Sequence, residues 1–570
     1  MLSSVVRSGR GFPRPRTPAE TLTANPNTMR IPPRDFRRHI SGGSTVEPPN
    51  PPCVARIFDA FRSRDRTIPL NRLPKPEARS PASTAKQESK RTSSETSQSV
   101  PREARTSTTP AVATTKSEEQ AEEEVRGEEF WRDLAPYKDV SAKEFLSWRW
   151  SVKNVVERKE KLIPFLAAVL PKEVPCSGSA AKFQSRDDFM RDVLEGMKES
   201  SMHVRVMPYV LSKINWKDPA NDPIFTQFIP LRSIMIKDHP MLKFDSLHER
   251  ADSPVENVVH RYRDRALLLA VCVCPAYCAF CTRSYGVGPD TELISKADDR
   301  FRLSNEKLDA AFTYFSTQEQ LRDVVVSGGD AFYLEPHVLE MIGERLISLP
   351  NIKRFRFASR GLALSPHRLL DRDDKWTDAL IRVSDKARKA GKHMALHTHF
   401  NHPNEISWVT EKASRRLHEA AVTVRNQTVL LRGINDNVET MSTLLQKLAD
   451  MVIEPYYLYQ CDMVPKVEHL RTPLQTILDM EKQLRGSISG FCMPHFVVDL
   501  PGGGGKQLAS TSTYDRESGI STFTAPALTR QGKAGKVYKY YDPVKPGELV
   551  SEQGKNKVST GKVLNAEGQC

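Results

Sequence analysis

From His260 onward the sequence repeats one alternation. Short apolar runs, "ALLLAVCV", "DVVVSGG", "RFRFAS", "HMALHTHF", "TVLLRG", "PYYLYQCD" and "HFVVDLP", are separated by amphipathic stretches such as "EKLDAAFTYF", "VLEMIGERLISL" and "LQTILDMEKQLRG". Runs of this length read as buried strands, and the longer periodic stretches between them as helices. Strands alternating with helices build a parallel sheet covered by helices, and six or seven such units suit a complete or partial (β/α) barrel. In that architecture chemistry gathers at the carboxyl ends of the strands. The distinctive residues fall there: Cys274, Cys278 and Cys281 after the first run, Gly328, Gly329 and Asp330 after the second, His397 and His399 in the fourth, Asp462 ending the sixth and Asp499 in the last.

The rest of the chain divides around this region. Residues 1–100 hold 18 Lys+Arg against 8 Asp+Glu, most of the whole chain's net charge of +14. Rich in Ser, Thr and Pro and without apolar periodicity, residues 1–125 read as a disordered basic extension. Arg7, Arg10, Arg14, Arg16, Arg30 and Arg34, with Glu20 as the only acid among the first 34 residues, look like a mitochondrial presequence, the alternative being a basic tail of a cytoplasmic protein. Residues 126–255 read as a helical N-terminal subdomain, opened by a Ser141/Glu144 capping box and one amphipathic helix from Ser141 to about Glu160. Trp148 and Trp150 on that helix read as packing residues. Residues 256–510 form the barrel, with "ALSPHRLLDRDDKW" as a surface insertion, and residues 511–570 an irregular polar tail. The basic charge is concentrated in the extension, so a nucleic-acid-binding face is not expected on the folded part. The longest apolar stretch, Ala266 to Cys274, is far short of the roughly 20 residues that cross a bilayer.

"CPAYCAFC" puts three cysteines within eight residues. Zinc is the first alternative, but a structural zinc site pairs one CxxC with a second pair further on, and none follows. Three thiolates on one loop better suit three irons of a 4Fe-4S cube, with the fourth iron open to another ligand. "PGGGGK" is not a phosphate loop of the GxxxxGK[ST] form, because Leu500 occupies the first glycine position and Gln507 the hydroxyl position. A glycine-rich turn at a strand end instead brings the amine of Lys506 into a crowded cavity, where it can condense with an aldehyde.

Together "HRYRDRALLL", "CPAYCAFCTR", "VVSGGDAF", "HTHFNHPNEI", "NQTVLLRGIND", "YLYQCD", "EHLRTP" and "VVDLPGGGGK" resemble the lysine 2,3-aminomutase family of the radical S-adenosylmethionine superfamily, over roughly Phe130 to Lys506. The resemblance implies a partial barrel of radical S-adenosylmethionine type, a 4Fe-4S cluster on Cys274, Cys278 and Cys281, S-adenosylmethionine on the open iron, and pyridoxal 5'-phosphate on Lys506. By the same resemblance Arg261, Tyr262 and Arg265 lie near the pyridoxal phosphate group. Gly328, Gly329, Asp330, His399 and Gln427 line the S-adenosylmethionine site. Arg283 meets the substrate carboxylate, and Asp462 and Asp499 hold the distal ammonium of lysine.

The implied activity moves the amino group of L-lysine from C2 to C3, giving β-lysine, with an external electron donor to reduce the cluster and a homo-oligomer as a further expectation. The alternative is the same chemistry on another basic substrate, arginine or a protein-bound lysine. Two acids at one end of the site would serve glutamate poorly. Only Cys570 follows Lys506, so the intersubunit zinc site common in bacterial members is not implied here.

Overall fold

The computed structural model describes residues 128–175, 183–296, 301–526, 528 and 532–544, with backbone alone at 549–550 and 556–558. The expected presequence and disordered extension lie outside the described residues.

Nine strands form one sheet in which neighbours in sequence are neighbours in space: β1 (Val258–Val259), β2 (Arg265–Val271), β3 (Asp323–Gly328), β4 (Arg354–Ala358), β5 (His393–Thr398), β6 (Thr423–Leu430), β7 (Glu454–Gln460), β8 (His495–Leu500) and β9 (Gly505–Leu508). From β2 to β8 every pairing is parallel, and the antiparallel β1 and β9 close the two edges. The six parallel steps are made through α1 (Asn305–Thr317), α2 (Pro336–Ser348), α3 (Trp376–Lys389), α4 (Trp408–Glu419), α5 (Val438–Asp450) and α6 (Leu474–Leu484). The sheet curls into a partial barrel, the expected α/β architecture.

Local sequence explains where these helices begin. Ser304 caps α1 by accepting from the Lys307 amide, Asn437 caps α5, Ser407 and Thr410 make a capping box on α4, and Pro336 opens α2. Leu308, Ala311, Phe312 and Phe315 then bury one face of α1 at helical spacing against the apolar strands.

Four expectations need correction. The helix expected from Ser141 to Glu160 is two short helices, Ala142–Phe145 and Trp148–Lys153, followed by an extended pair at Val156–Glu157 and a helix over Arg158–Val169. The Ser141/Glu144 capping box forms, but Ser147 caps a second start, and the Trp148 amide donates to Asp371 at 2.8 Å. Trp148 does pack, edge-on to Phe332 with ring centres 5.5 Å apart.

The segment read as a surface insertion is interior instead: His367, Arg368, Leu369 and Trp376 are buried, and the Arg368 guanidinium lies 4.4 Å from the Trp148 ring centre. Strand β6 starts at Thr423, ahead of the apolar run, because Arg425, Asn426 and Gln427 interrupt the apolar signal with polar side chains that the sheet uses.

The polar stretch after Ala509 is not wholly irregular. It holds a three-stranded antiparallel sheet of β10 (Thr513–Asp515), β11 (Ile520–Thr524) and β12 (Val537–Tyr541). Buried Tyr540 anchors it by donating to the Cys461 carbonyl at 2.9 Å. Among the described residues no helix is long and apolar enough to cross a membrane.

Candidate active site

The lysine of the glycine-rich turn is placed by backbone geometry. Gly502, Gly503 and Gly505 have φ of 79°, 83° and 79°, a left-handed region that other residues enter at a cost. A side chain at Gly504 would meet the Tyr538 ring at 2.6 Å. The turn therefore folds β9 back on β8 with Lys506 directly opposite Asp499. Lys506 Nζ lies 2.5 Å from Asp499 Oδ2, and its backbone amide donates to the Tyr262 hydroxyl at 2.8 Å. Burial opposes the Lys506 charge, but Asp499 outweighs it and holds the ammonium well above the usual lysine range. Burial likewise pushes Asp499 up, and Lys506 and Arg261 override it to leave the carboxyl below its usual range.

The cysteine loop leaves the end of β2 and is stitched to β3. Gly329 donates to the Val271 carbonyl at 2.5 Å and Asp330 to that of Val273 at 3.0 Å. Gly328, at φ 108°, lies so close that a Cβ would stand 2.4 Å from the Val271 oxygen. "SGGD" is thus first a device that fixes the strand end carrying Cys274. Asp330 accepts from the backbone amides of Phe332 and Arg360 at 2.8 Å each, and burial pushes its carboxyl up to about 6.

The remaining expected residues converge on the same space. Arg261 donates to buried Asp252 at 2.8 Å and lies 3.8 Å from Asp499 Oδ1, and Asp252 is also met by Lys533 at 2.6 Å. The Arg265 guanidinium lies 4.0 Å from the centre of the Tyr262 ring, with its Nε buried and without a hydrogen-bond partner. Arg283 makes a two-pronged pair with Glu249, at 2.9 and 2.7 Å, and Tyr285 donates to the same carboxylate at 2.9 Å. Gln427 bridges His397 and the Tyr459 hydroxyl, each at 2.8 Å, and His399 meets Asn401 at 3.0 Å. Burial pushes the Asp462 carboxyl up to about 7, with the Asp499 charge adding to it.

All fifteen expected site residues line one cavity of about 390 Å³. Glu249 and Arg360, on the same walls, were not expected. "LHERADSPVENVVHRYRDR" carried the signal for Glu249, an acid placed shortly before Arg261 and Arg265.

Among similar proteins, L-lysine 2,3-aminomutase of Clostridium subterminale is 37% identical over 442 residues, which cover 76% of this chain and 94% of that protein. The chain belongs to the lysine 2,3-aminomutase family. L-lysine 2,3-aminomutase of Bacillus subtilis is 32% identical over 66% of this chain and 71% of its own. Glutamate 2,3-aminomutase of Clostridioides difficile is 33% identical over 55% of this chain and 69% of its own. No family model matches the chain.

Lysine 2,3-aminomutases are radical enzymes that use a 4Fe-4S cluster, S-adenosylmethionine and pyridoxal phosphate, and the donor set here fits all three. Burial pushes the thiols of Cys274, Cys278 and Cys281 up, the last to about 11, and each is close enough to another for their charges to interact. Such thiols ionise when a metal draws off the proton. The buried, unpartnered Arg265 Nε and the Arg261 guanidinium line the same cavity and suit a phosphate, and Lys506 in that lining suits the aldehyde of the same cofactor.

Proposed function

We propose that this chain is an isomerase that moves the amino group of L-lysine from C2 to C3, giving β-lysine. One observation carries the reading: the three-cysteine loop, the lysine of the glycine-rich turn and the carboxylates Asp462 and Asp499 share the walls of one cavity of about 390 Å³. When bound, the cluster with S-adenosylmethionine supplies an adenosyl radical that removes hydrogen from unactivated carbon, and pyridoxal phosphate carries the migrating nitrogen.

The chain's own residues do the rest. Cys274, Cys278 and Cys281 hold the cluster, and Gly328, Gly329, Asp330, His399 and Gln427 line the S-adenosylmethionine side. Arg261, Tyr262 and Arg265 take the phosphate, and Lys506 anchors the cofactor. Arg283, which is paired with Glu249, receives the substrate carboxylate. Asp499 holds the Lys506 ammonium until that amine is committed to the cofactor, after which both acids face the distal ammonium of the substrate. A distal carboxylate, as in glutamate, would be repelled there. Residues 256–510 carry this chemistry, and 126–255 act as the supporting subdomain.

The reading includes an external one-electron donor and self-association. Residues 1–34 are read as a mitochondrial presequence on their six arginines and single acid. The relatives named above are bacterial, and a fluorescent fusion of these residues that stays in the cytoplasm would favour the cytoplasmic alternative.

Borohydride reduction of the pyridoxal-phosphate-loaded protein, followed by peptide mapping, tests the site directly. Label is expected on Lys506 in the "PGGGGK" peptide, and label on another lysine would sink the assignment.

A further inference from the structure

Arg360 is a buried cation whose position is over-determined. It follows β4 in the chain, and its Nη1 lies 2.9 Å from Cys278 Sγ. Its Nη2 donates to Gln227 Oε1 at 2.6 Å and to Glu405 Oε1 at 3.1 Å, and its Nε to the His399 carbonyl at 3.2 Å. The guanidinium lies 4.9 Å from the Phe228 ring centre and 5.9 Å from that of Phe280, which belongs to the cysteine loop. Asn401 reinforces the clamp by donating to Gln227 Oε1 at 3.0 Å and, through its amide, to Glu405 at 3.2 Å. The Asn and Glu of "HTHFNHPNEI", which no ligand-binding role absorbs, thus serve to aim one guanidinium at one sulfur.

We propose that Arg360 is a positioning residue that sets the reduction potential of the cluster through Cys278. The inference rests on the reading of Cys274, Cys278 and Cys281 as cluster ligands. Reduction adds one electron, and so one negative charge, from an external one-electron donor. A fixed positive donor on a ligating sulfur stabilises the form with more negative charge, and hydrogen bonds to cluster sulfurs and their surroundings are the means by which a protein sets this potential. Arg suits the place better than Lys, because one planar fork reaches the sulfur, Gln227 and Glu405 together.

The test is a dye-mediated potentiometric titration of the reconstituted full chain with dithionite, followed by electron paramagnetic resonance, after iron and sulfide have been assayed. Wild-type protein without cluster iron would mean that the underlying reading fails. With the cluster present, Arg360→Met should lower the ratio of reduced to oxidised cluster at a fixed potential on the order of tenfold, which is about 59 mV for a one-electron couple. Arg360→Lys keeps the charge but loses the fork, so it should shift the midpoint in the same direction by less. If the Met variant assembles no cluster, the Lys variant decides. A wild-type midpoint in Arg360→Lys, and in Arg360→Met where its cluster assembles, would overturn the proposal.

Discussion

Asp499 and Lys506 stand directly opposite each other across the β8–β9 hairpin, and their side chains meet at 2.5 Å. This pair reserves a carboxylate and an amine for each other until a ligand separates them. In Asp499→Asn the amine loses the group that holds its proton, while burial and the neighbouring Arg261 remain. The pH above which Lys506 captures pyridoxal phosphate should therefore fall. Visible absorbance of the loaded protein across a pH series checks this, and an unmoved profile would count against the pair.

Burial, with the charges of Asp499 and Glu249 adding to it, pushes the Asp462 carboxyl up to about 7 against the opposing pull of Thr282 and Lys506. Only its ionised form attracts a substrate ammonium, so KM for lysine should fall as pH rises through about 7. Asp462→Asn should flatten that part of the profile and weaken lysine binding by roughly 2–5 kcal/mol, about 30-fold or more. The raised value also has a sign for stability. The folded chain binds this proton more tightly than the unfolded one, so the ligand-free protein loses stability as pH rises from 3.8 to about 7, and thermal melts of the Asn variant should lack that component.

Single replacements of Cys274, Cys278 or Cys281 by Ala should each abolish iron-dependent absorbance. Cys272 is buried in the apolar core, so Cys272→Ala should keep full iron content. Iron and sulfide assays on the four variants separate these outcomes.

Much of this was legible because the strand ends carry unusual residues, and the strand-helix alternation fixes which end they share. The pairings inside the cavity were not legible. The resemblance implies Arg283 as the partner of a substrate carboxylate, yet the structure pairs it with Glu249, 34 residues ahead of it in the chain. Nor does spacing place Arg360 on Cys278, since the contact joins residues 82 apart that both line the cavity. The C-terminal sheet escaped notice because its alternation is written in Tyr, Thr, Ser and Lys, which composition reads as tail.

That sheet has a consequence at the cofactor end. Lys533, in the β11–β12 connection, meets Asp252, which in turn holds Arg261. Lys533→Ala should loosen Arg261 and weaken pyridoxal phosphate binding by about 0.5–1.5 kcal/mol, at most roughly tenfold. Equilibrium titration of the cofactor, with Lys533→Arg restoring affinity, distinguishes this from a general loss of fold.

Incubation of L-lysine with the anaerobically reconstituted chain, S-adenosylmethionine, pyridoxal phosphate and dithionite, followed by amino-acid analysis, tests the central claim most directly. The account predicts that β-lysine accumulates with wild-type protein, is absent with Lys506→Ala, and forms far more slowly with Asp499→Asn at saturating cofactor. Recovery of lysine unchanged by cluster-replete wild-type protein, with rearrangement of arginine, glutamate or a protein-bound lysine in its place, would contradict it.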